Sequence, residues 1–337
     1  MTIRLADLEP SPDVFAAVMA TGILSIGARD HRYRWISDAL GVVATCGLVF
    51  LVALVIVTVG LDFSGRRGMR WDLTDPDVTL RLFTFVAACA VIDTRLASNV
   101  SVLRVLAAAG LSSWLVLIVL SARNMLAHRW VVLRDHAHGA WELASVGTSG
   151  LAIVMAQLAR LTGHRWWLAI ALPVWVAAIF IYGLVTWLIV WRVVAERQHR
   201  AGFEPDSWIL TGGLAIATLA GDTIHPLVPA WLAGPVRVVT VVTWVAATLW
   251  MPPLIYFGLR RIGQGPDALR FAGVWWALVF PLGMYSAASY AMAAGGQGSL
   301  ITVSLVFFWD ALAAWLIVAV AGLLRVWRAS AVSPRAS

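Results

Sequence analysis

The chain has 337 residues, 61% of them hydrophobic and only 13% charged, about half the usual charged share. No soluble fold of this length hides so much apolar surface, so composition excludes the soluble classes and points to an all-α polytopic membrane protein whose solvent is lipid. The net charge of +7 does not signal nucleic acid, because the 25 basic residues, all arginine, are scattered between apolar runs, and the lack of lysine excludes lysine-based covalent chemistry.

Apolar runs separated by charged or Gly/Pro breaks predict ten membrane helices over 12–28, 35–60, 78–97, 100–123, 141–162, 166–195, 207–225, 236–259, 268–294 and 299–328. Asp7 and Glu9 stand where a signal peptide carries basic residues, so the first run is expected to be a retained span. Ser11-Pro12, Glu204-Pro205-Asp206-Ser207 and Gly265-Pro266-Asp267 read as helix starts. With the N-terminus inside, 17 arginines fall on inner segments and 8 on outer ones, which predicts both termini cytoplasmic in a bacterial-type inner membrane. A single transmembrane domain with short tails, 1–11 and 329–337, is expected. Cys46 and Cys89 lie inside predicted spans and imply no disulfide or zinc site.

Odd and even spans differ in kind. The first carries Ala20, Thr21, Gly22 and Ser25, the fifth Ser145, Gly147, Thr148, Ser149 and Gly150, the seventh Thr211, Gly212, Gly213 and Ala215, and the ninth Gly283, Ser286, Ala287 and Ala288. The even spans are longer, rich in Leu, Val and Trp, and hold the mid-span tryptophans Trp114, Trp175, Trp187, Trp244, Trp250, Trp309 and Trp315. The alternation repeats five times and predicts five helical hairpins, bulky helices toward lipid and slim helices inside. Slim helices either pack closely or leave a lumen between them, and composition leaves both open.

In the ninth span Pro281 removes a hydrogen bond and clashes with the carbonyl of Ala277, and Gly283 weakens the same turn. Gly273, Phe280, Met284 and Ala287 share a face. If that face looks inward, Phe280 is a ring on a bend that obstructs a narrow bore, of the kind that gates by dewetting. Otherwise it is a phenylalanine packed between helices.

"PDVFAAVMATGILSIG" (12–27) and "WWALVFPLGMYSAAS" (275–289) resemble the first and ninth helices of the tellurite-resistance/dicarboxylate transporter family, which includes TehA-like proteins, fungal malate and sulfite transporters and plant slow anion channels. With the hairpin pattern, the resemblance covers nearly the whole chain. It implies a pseudo-five-fold ring of hairpins around a central pore, often as a homotrimer, plugged by a phenylalanine that corresponds to Phe280 beside Pro281. It also implies transport of a small inorganic anion or a C4-dicarboxylate, with no cofactor and no enzymatic activity.

For an anion, Thr21, Gly22, Ser25, Gly147, Thr148, Gly150, Gly212, Gly213, Gly283 and Ala287 are the candidate lining of the bore. No arginine lies at mid-membrane depth. Arg81, Arg95, Arg104, Arg160 and Arg237 sit near span ends, as positive vestibules or as snorkelling anchors. Acids inside spans are costly and count as functional hypotheses. Asp222 with His225, and Asp310 about 16 Å into the tenth span, are candidates for proton coupling, which would make the protein a symporter. Glu142 is expected to cap the fifth span. "HRWVVLRDHAHGAWE" gathers His128, Asp135, His136 and His138. It reads as a solvated loop, the other reading being a metal site of a membrane-embedded enzyme. No phosphate-binding glycine loop or nucleophile elbow is present, and loops of at most about 17 residues exclude ATP-driven pumping in cis.

Overall fold

The computed structural model describes residues 11–63, 71–96, 100–195, 205–262, 275–294 and 298–331. Among these residues there is helix and turn and no strand. In chain order the helices are α1 (Ala16–Asp30), α2 (Arg34–Phe63), α3 (Pro76–Arg81), α4 (Phe83–Arg95), α5 (Val100–Ala127), α6 (Trp130–His136), α7 (Leu143–Thr162), α8 (Trp166–Ala195), α9 (Ile209–Ile224), α10 (Ala230–Ile262), α11 (Trp276–Ala294) and α12 (Leu300–Ala331). Among the described residues, eight stretches are long and apolar enough to cross a membrane, one each in α2, α5 and α7 to α12. α1 and α4, with 15 and 13 residues, are shorter.

Two expectations are corrected. The third span is not one helix over 78–97. Asp75 caps an early start by accepting from the Asp77 amide, with Pro76 in the first turn, and the regular ladder breaks at Leu82 before α4 begins. Nor is 128–142 a loop throughout, although 128–132, Asp135 and His136 are exposed as a solvated segment would be. It contains α6 and a 3-10 turn at Gly139–Glu142. α6 is drawn onto α8 by aromatic contact: Trp130 meets Trp187 edge-on at 6.0 Å, and the Arg134 guanidinium lies 5.0 Å over the Trp191 ring. Residues 263–274, including Asp267 and Gly273, lie outside the described residues.

The division into slim and bulky helices is a division of burial. All of the most apolar stretch of α7 is buried, against 17% of that of α2. Each slim helix packs on the bulky helix that follows it: α1 on α2, α4 on α5, α7 on α8, α9 on α10 and α11 on α12. The slim helices also pack on one another, α1 on α4 and α11, α7 on α4 and α9, and α9 on α11. Glycines make these approaches close enough that a Cβ would collide. At Gly22 it would stand 2.6 Å from Val91 Cγ1, at Gly147 2.9 Å from the Phe83 carbonyl oxygen, at Gly150 2.9 Å from Ala90 Cβ and at Gly283 2.9 Å from Ile23 Cγ2. Lipid supplies no hydrophobic drive between helices, so this contact, with hydrogen bonds, is what holds them.

The bulky helices add a repeated polar tie. Each of four tryptophans donates its indole N–H to a slim helix, three of them to the next unit of the chain and the last back to α1. Trp114 on α5 reaches Thr148 Oγ1 at 2.9 Å, and Trp175 on α8 reaches the Ala217 carbonyl at 2.8 Å. Trp244 on α10 reaches Ser289 Oγ at 3.2 Å, and Trp315 on α12 reaches Thr21 Oγ1 at 2.9 Å.

Candidate functional site

Four helices begin around one pocket of roughly 180 Å³. Ala16, Leu143 and Ile209 are the first residues of α1, α7 and α9, and Trp276 and Ala277 are the first two of α11; all line it. Arg81, which ends α3 immediately before α4, lines it as well. The aligned peptide dipoles of a helix start amount to about half a positive charge, so these ends favour an anion, although the amides of Ala16 and Leu143 are already paired with the carbonyls of Asp13 and Ala140, and the carboxylates of Asp13 and Asp206 share the lining. Phe280 and Met19 lie about one turn deeper in the same lining. Phe280 is only 2% exposed, and Pro281 beside it packs against α9, where a Cβ on Gly212 would stand 3.0 Å from its ring.

A chain of charged side chains crosses the pocket. Arg81 donates from Nη2 to Asp13 Oδ2 at 2.9 Å and from Nη1 to Asp77 Oδ2 at 3.2 Å. His138 Nε2 meets Asp77 Oδ1 at 2.7 Å and its Nδ1 meets Asp206 Oδ2 at 2.6 Å. Trp141 Nε1 also donates to Asp77 Oδ1, at 3.2 Å, and the Ala140 amide donates to Asp206 Oδ2 at 3.0 Å. With a carboxylate on each ring nitrogen, both nitrogens must donate, so His138 is an imidazolium. Burial lowers its pKa, but the hydrogen bonds to Asp206 and Asp77 and their charges prevail and push it up to about 9. Burial raises Asp77, but the hydrogen bond from His138 and the charges of His138 and Arg81 hold its carboxyl at about 2. The chain ties the turn before α1, the short α3, the segment before α7 and the turn before α9.

Asp13 and Asp77 are not singled out from sequence, and Asp206 is named only as part of a helix start, although the signal is there. Pro-Asp recurs ahead of the first, third, seventh and ninth spans, at Pro12-Asp13, Pro76-Asp77, Pro205-Asp206 and Pro266-Asp267. His138 is not solvated, which corrects the reading of its loop; its side chain is 24% exposed, between two carboxylates. His128 and His136 instead bond the backbone carbonyls of Asn124 and Val132. No group of three or more His, Cys, Asp or Glu that could hold a metal ion occurs among the described residues.

The other candidates fall in three places. Gly22, Gly147, Gly150, Gly212 and Gly283 sit at contacts between slim helices, while Gly213 lies against Tyr182 of α8 and Ser145 of α7. Ala287 is buried. Thr21 and Thr148 donate to carbonyls one turn back and accept from Trp315 and Trp114. Ser25 donates to the Ser37 carbonyl and accepts from Arg95 Nε at 2.8 Å. Asp222 faces Arg237 at 3.4 Å, one turn before His225 opens a 3-10 turn. Asp310 is exposed on the outer surface of α12, beside the exposed Trp309. Glu142 stands at the N-cap position of α7, as expected, but its carboxyl accepts no backbone amide there. It is fully buried and accepts from Ser145 and Thr186 at 2.9 and 2.8 Å.

Comparison with known proteins bears on what this pocket serves. Residues 10–323 match the family model described as voltage-dependent anion channel. The chain is similar to an uncharacterized membrane protein of Mycobacterium tuberculosis, 31% identical over 147 residues that make up 42% of this chain and 75% of that protein. It is also similar to an uncharacterized transporter of Methanocaldococcus jannaschii, 24% identical over 160 residues, 46% of each chain.

Proposed function

The chain belongs to the voltage-dependent anion channel family, which its first and ninth helices resemble, and on that premise we propose that it carries small anions across a membrane through a conduit gated by Phe280. The conduit runs between α1, α4, α7, α9 and α11, whose packing order from α1 round to α11 and back supports a five-hairpin ring of ten spans. The pocket is its inner mouth, in an inner membrane with both termini cytoplasmic. Its cargo is a small inorganic anion or a C4-dicarboxylate, and the assembly is a homotrimer. Transport, not catalysis, is the activity.

One observation supports the gate: Phe280, itself buried, lines the pocket at which four helix starts and Arg81 converge. An anion concentrated there by those positive ends meets a water-excluding ring next, and a hydrophobic constriction gates by dewetting. Pro281 beside it leaves that turn of α11 without one backbone hydrogen bond, so the turn yields more easily than its neighbours. The test is single-channel recording of purified protein in planar bilayers: Phe280→Ala raises anion conductance. Bilayers that stay silent with this variant remove Phe280 as the gate.

A proton-coupled version of the same conduit is favoured by the acids within the helical bundle. Besides Asp222 with His225, the buried Asp93 of α4 has no hydrogen-bond partner for either oxygen among the described residues, whereas Asp310, the third candidate, is exposed on the outer face of α12. A buried carboxyl without a partner is costly when ionised.

A further inference from the structure

We propose that Arg81 is an oxyanion-binding site at the inner mouth and that Asp13 is its built-in stand-in ligand, displaced when a small carboxylate or planar oxyanion binds. The proposal rests on the reading of the pocket as the mouth of an anion conduit, and names the class of ligand that mouth selects.

Arg81's two carboxylate partners are not equivalent. Asp77 is fixed from several sides, since its Oδ1 accepts from His138 and Trp141 while its Oδ2 takes Arg81 Nη1. The Asp13 carboxylate has one hydrogen-bond partner among the described residues, Arg81 Nη2. It sits on the turn before α1, and both side chains are partly open, Arg81 at 28% and Asp13 at 23%. Asp77 therefore anchors the guanidinium and Asp13 is the releasable partner.

The unused donor sets the ligand class. Arg81 Nε has no acceptor among the described residues, although it is buried. Nε–H and Nη2–H point from the same edge of the guanidinium, and an oxyanion with two coplanar oxygens accepts from both at once. Asp13 Oδ2 takes Nη2 alone. An incoming formate, nitrate or carboxylate end of a larger acid replaces one hydrogen bond with two, within a pocket of roughly 180 Å³ onto which the starts of α1, α7, α9 and α11 converge. A halide, a single sphere, gains no such pairing, so the site ranks planar oxyanions above chloride. One carboxylate leaves the guanidinium and one monoanion takes its place; the released Asp13 carboxylate, already 23% exposed, turns to solvent, and the site as a whole gains one negative charge.

The test is calorimetric titration of purified wild-type protein in detergent with sodium formate and, separately, sodium chloride. Asp13→Asn removes the tethered competitor and binds formate about twofold to fivefold tighter, the range expected for losing a partly exposed ion pair. Arg81→Gln abolishes formate binding. Arg81→Lys keeps the charge and the fold but lacks the two-donor edge, so it binds both anions and loses the preference for formate over chloride. Equal formate affinity in wild type and Asp13→Asn, or an unchanged preference in Arg81→Lys, overturns the proposal. Binding is read without flux, so silent bilayers with Phe280→Ala alongside Arg81-dependent formate binding remove the gate and leave the site standing.

Discussion

The indole nitrogen of Trp315 donates to the hydroxyl of Thr21 at 2.9 Å, joining the last described helix to the first across 294 positions of sequence. The same donor–acceptor arrangement recurs at Trp114 and Thr148. Each acceptor hydroxyl already donates to a carbonyl of its own helix, so the tie costs the slim helix none of its backbone ladder. Hydrogen bonds between membrane helices are worth about 0.6 kcal/mol on average. Trp315→Phe and Trp114→Phe should each lower stability by roughly that amount, and the pair should add, since they tie different helices. Unfolding in mixed micelles with increasing denaturing detergent measures it. Losses several times larger would show that ring packing, not the N–H, is what the tryptophan supplies.

Phe280→Ala separates gate from packing by two readouts. A fully buried phenyl removed from a core costs about 3–5 kcal/mol. A gate residue shows that cost together with raised anion conductance. A packed ring shows the cost alone.

Close approach of the slim helices gives a graded series. Gly212→Ala puts a Cβ 3.0 Å from the Pro281 ring, and Gly147→Ala puts one 2.9 Å from the Phe83 carbonyl oxygen. Each should lose about 1–3 kcal/mol by overpacking. Gly183→Ala on α8 meets nothing within 4 Å and should gain up to about 1 kcal/mol from helix propensity. Thermal unfolding of the three variants side by side reads the order.

The belt around His138 makes stability depend on pH from both sides. His138 has its folded pKa raised from 6.5 to about 9, so its contribution is complete below about 6.5 and is lost as pH rises through about 9. Asp77 has its folded pKa lowered from 3.8 to about 2, so its contribution is complete above about 3.8 and is lost as pH falls through about 2. The belt is therefore strongest between about pH 4 and 6.5. The groups that face it are Arg81, Asp206 and the indole N–H of Trp141. In a melting series from pH 6 to 10, His138→Gln should abolish the alkaline fall in melting temperature. A fall that persists unchanged would place its origin elsewhere. His136→Ala should alter nothing, because that ring is exposed and bonds only its own helix.

Proton coupling is checked in liposomes. If anion uptake rises with an inward proton gradient, Asp222→Asn or Asp310→Asn should flatten that dependence. Uptake that keeps its gradient dependence in both variants removes these two acids as carriers.

The membrane class, the slim and bulky alternation and the Phe-Pro turn were legible in the sequence because each is written locally, in composition and in spacing along one helix. So was the family resemblance, carried by the first and ninth helices and the hairpin pattern. What only the tertiary structure decided was which partner each side chain meets. The reading of the span ends missed Asp13 and Asp77, took Asp206 only for part of a helix start, and left His138 in a solvated loop. These four belong to segments up to about 190 residues apart, and only packing of the slim helices brings their starts to one pocket. The glycines show the same limit: their small size was visible in the chain, but whether it opens space or admits a neighbour depends on the helix opposite. A sequence states what a side chain is; what it is near follows from how the helices close on one another, because contact is a property of distance and not of order.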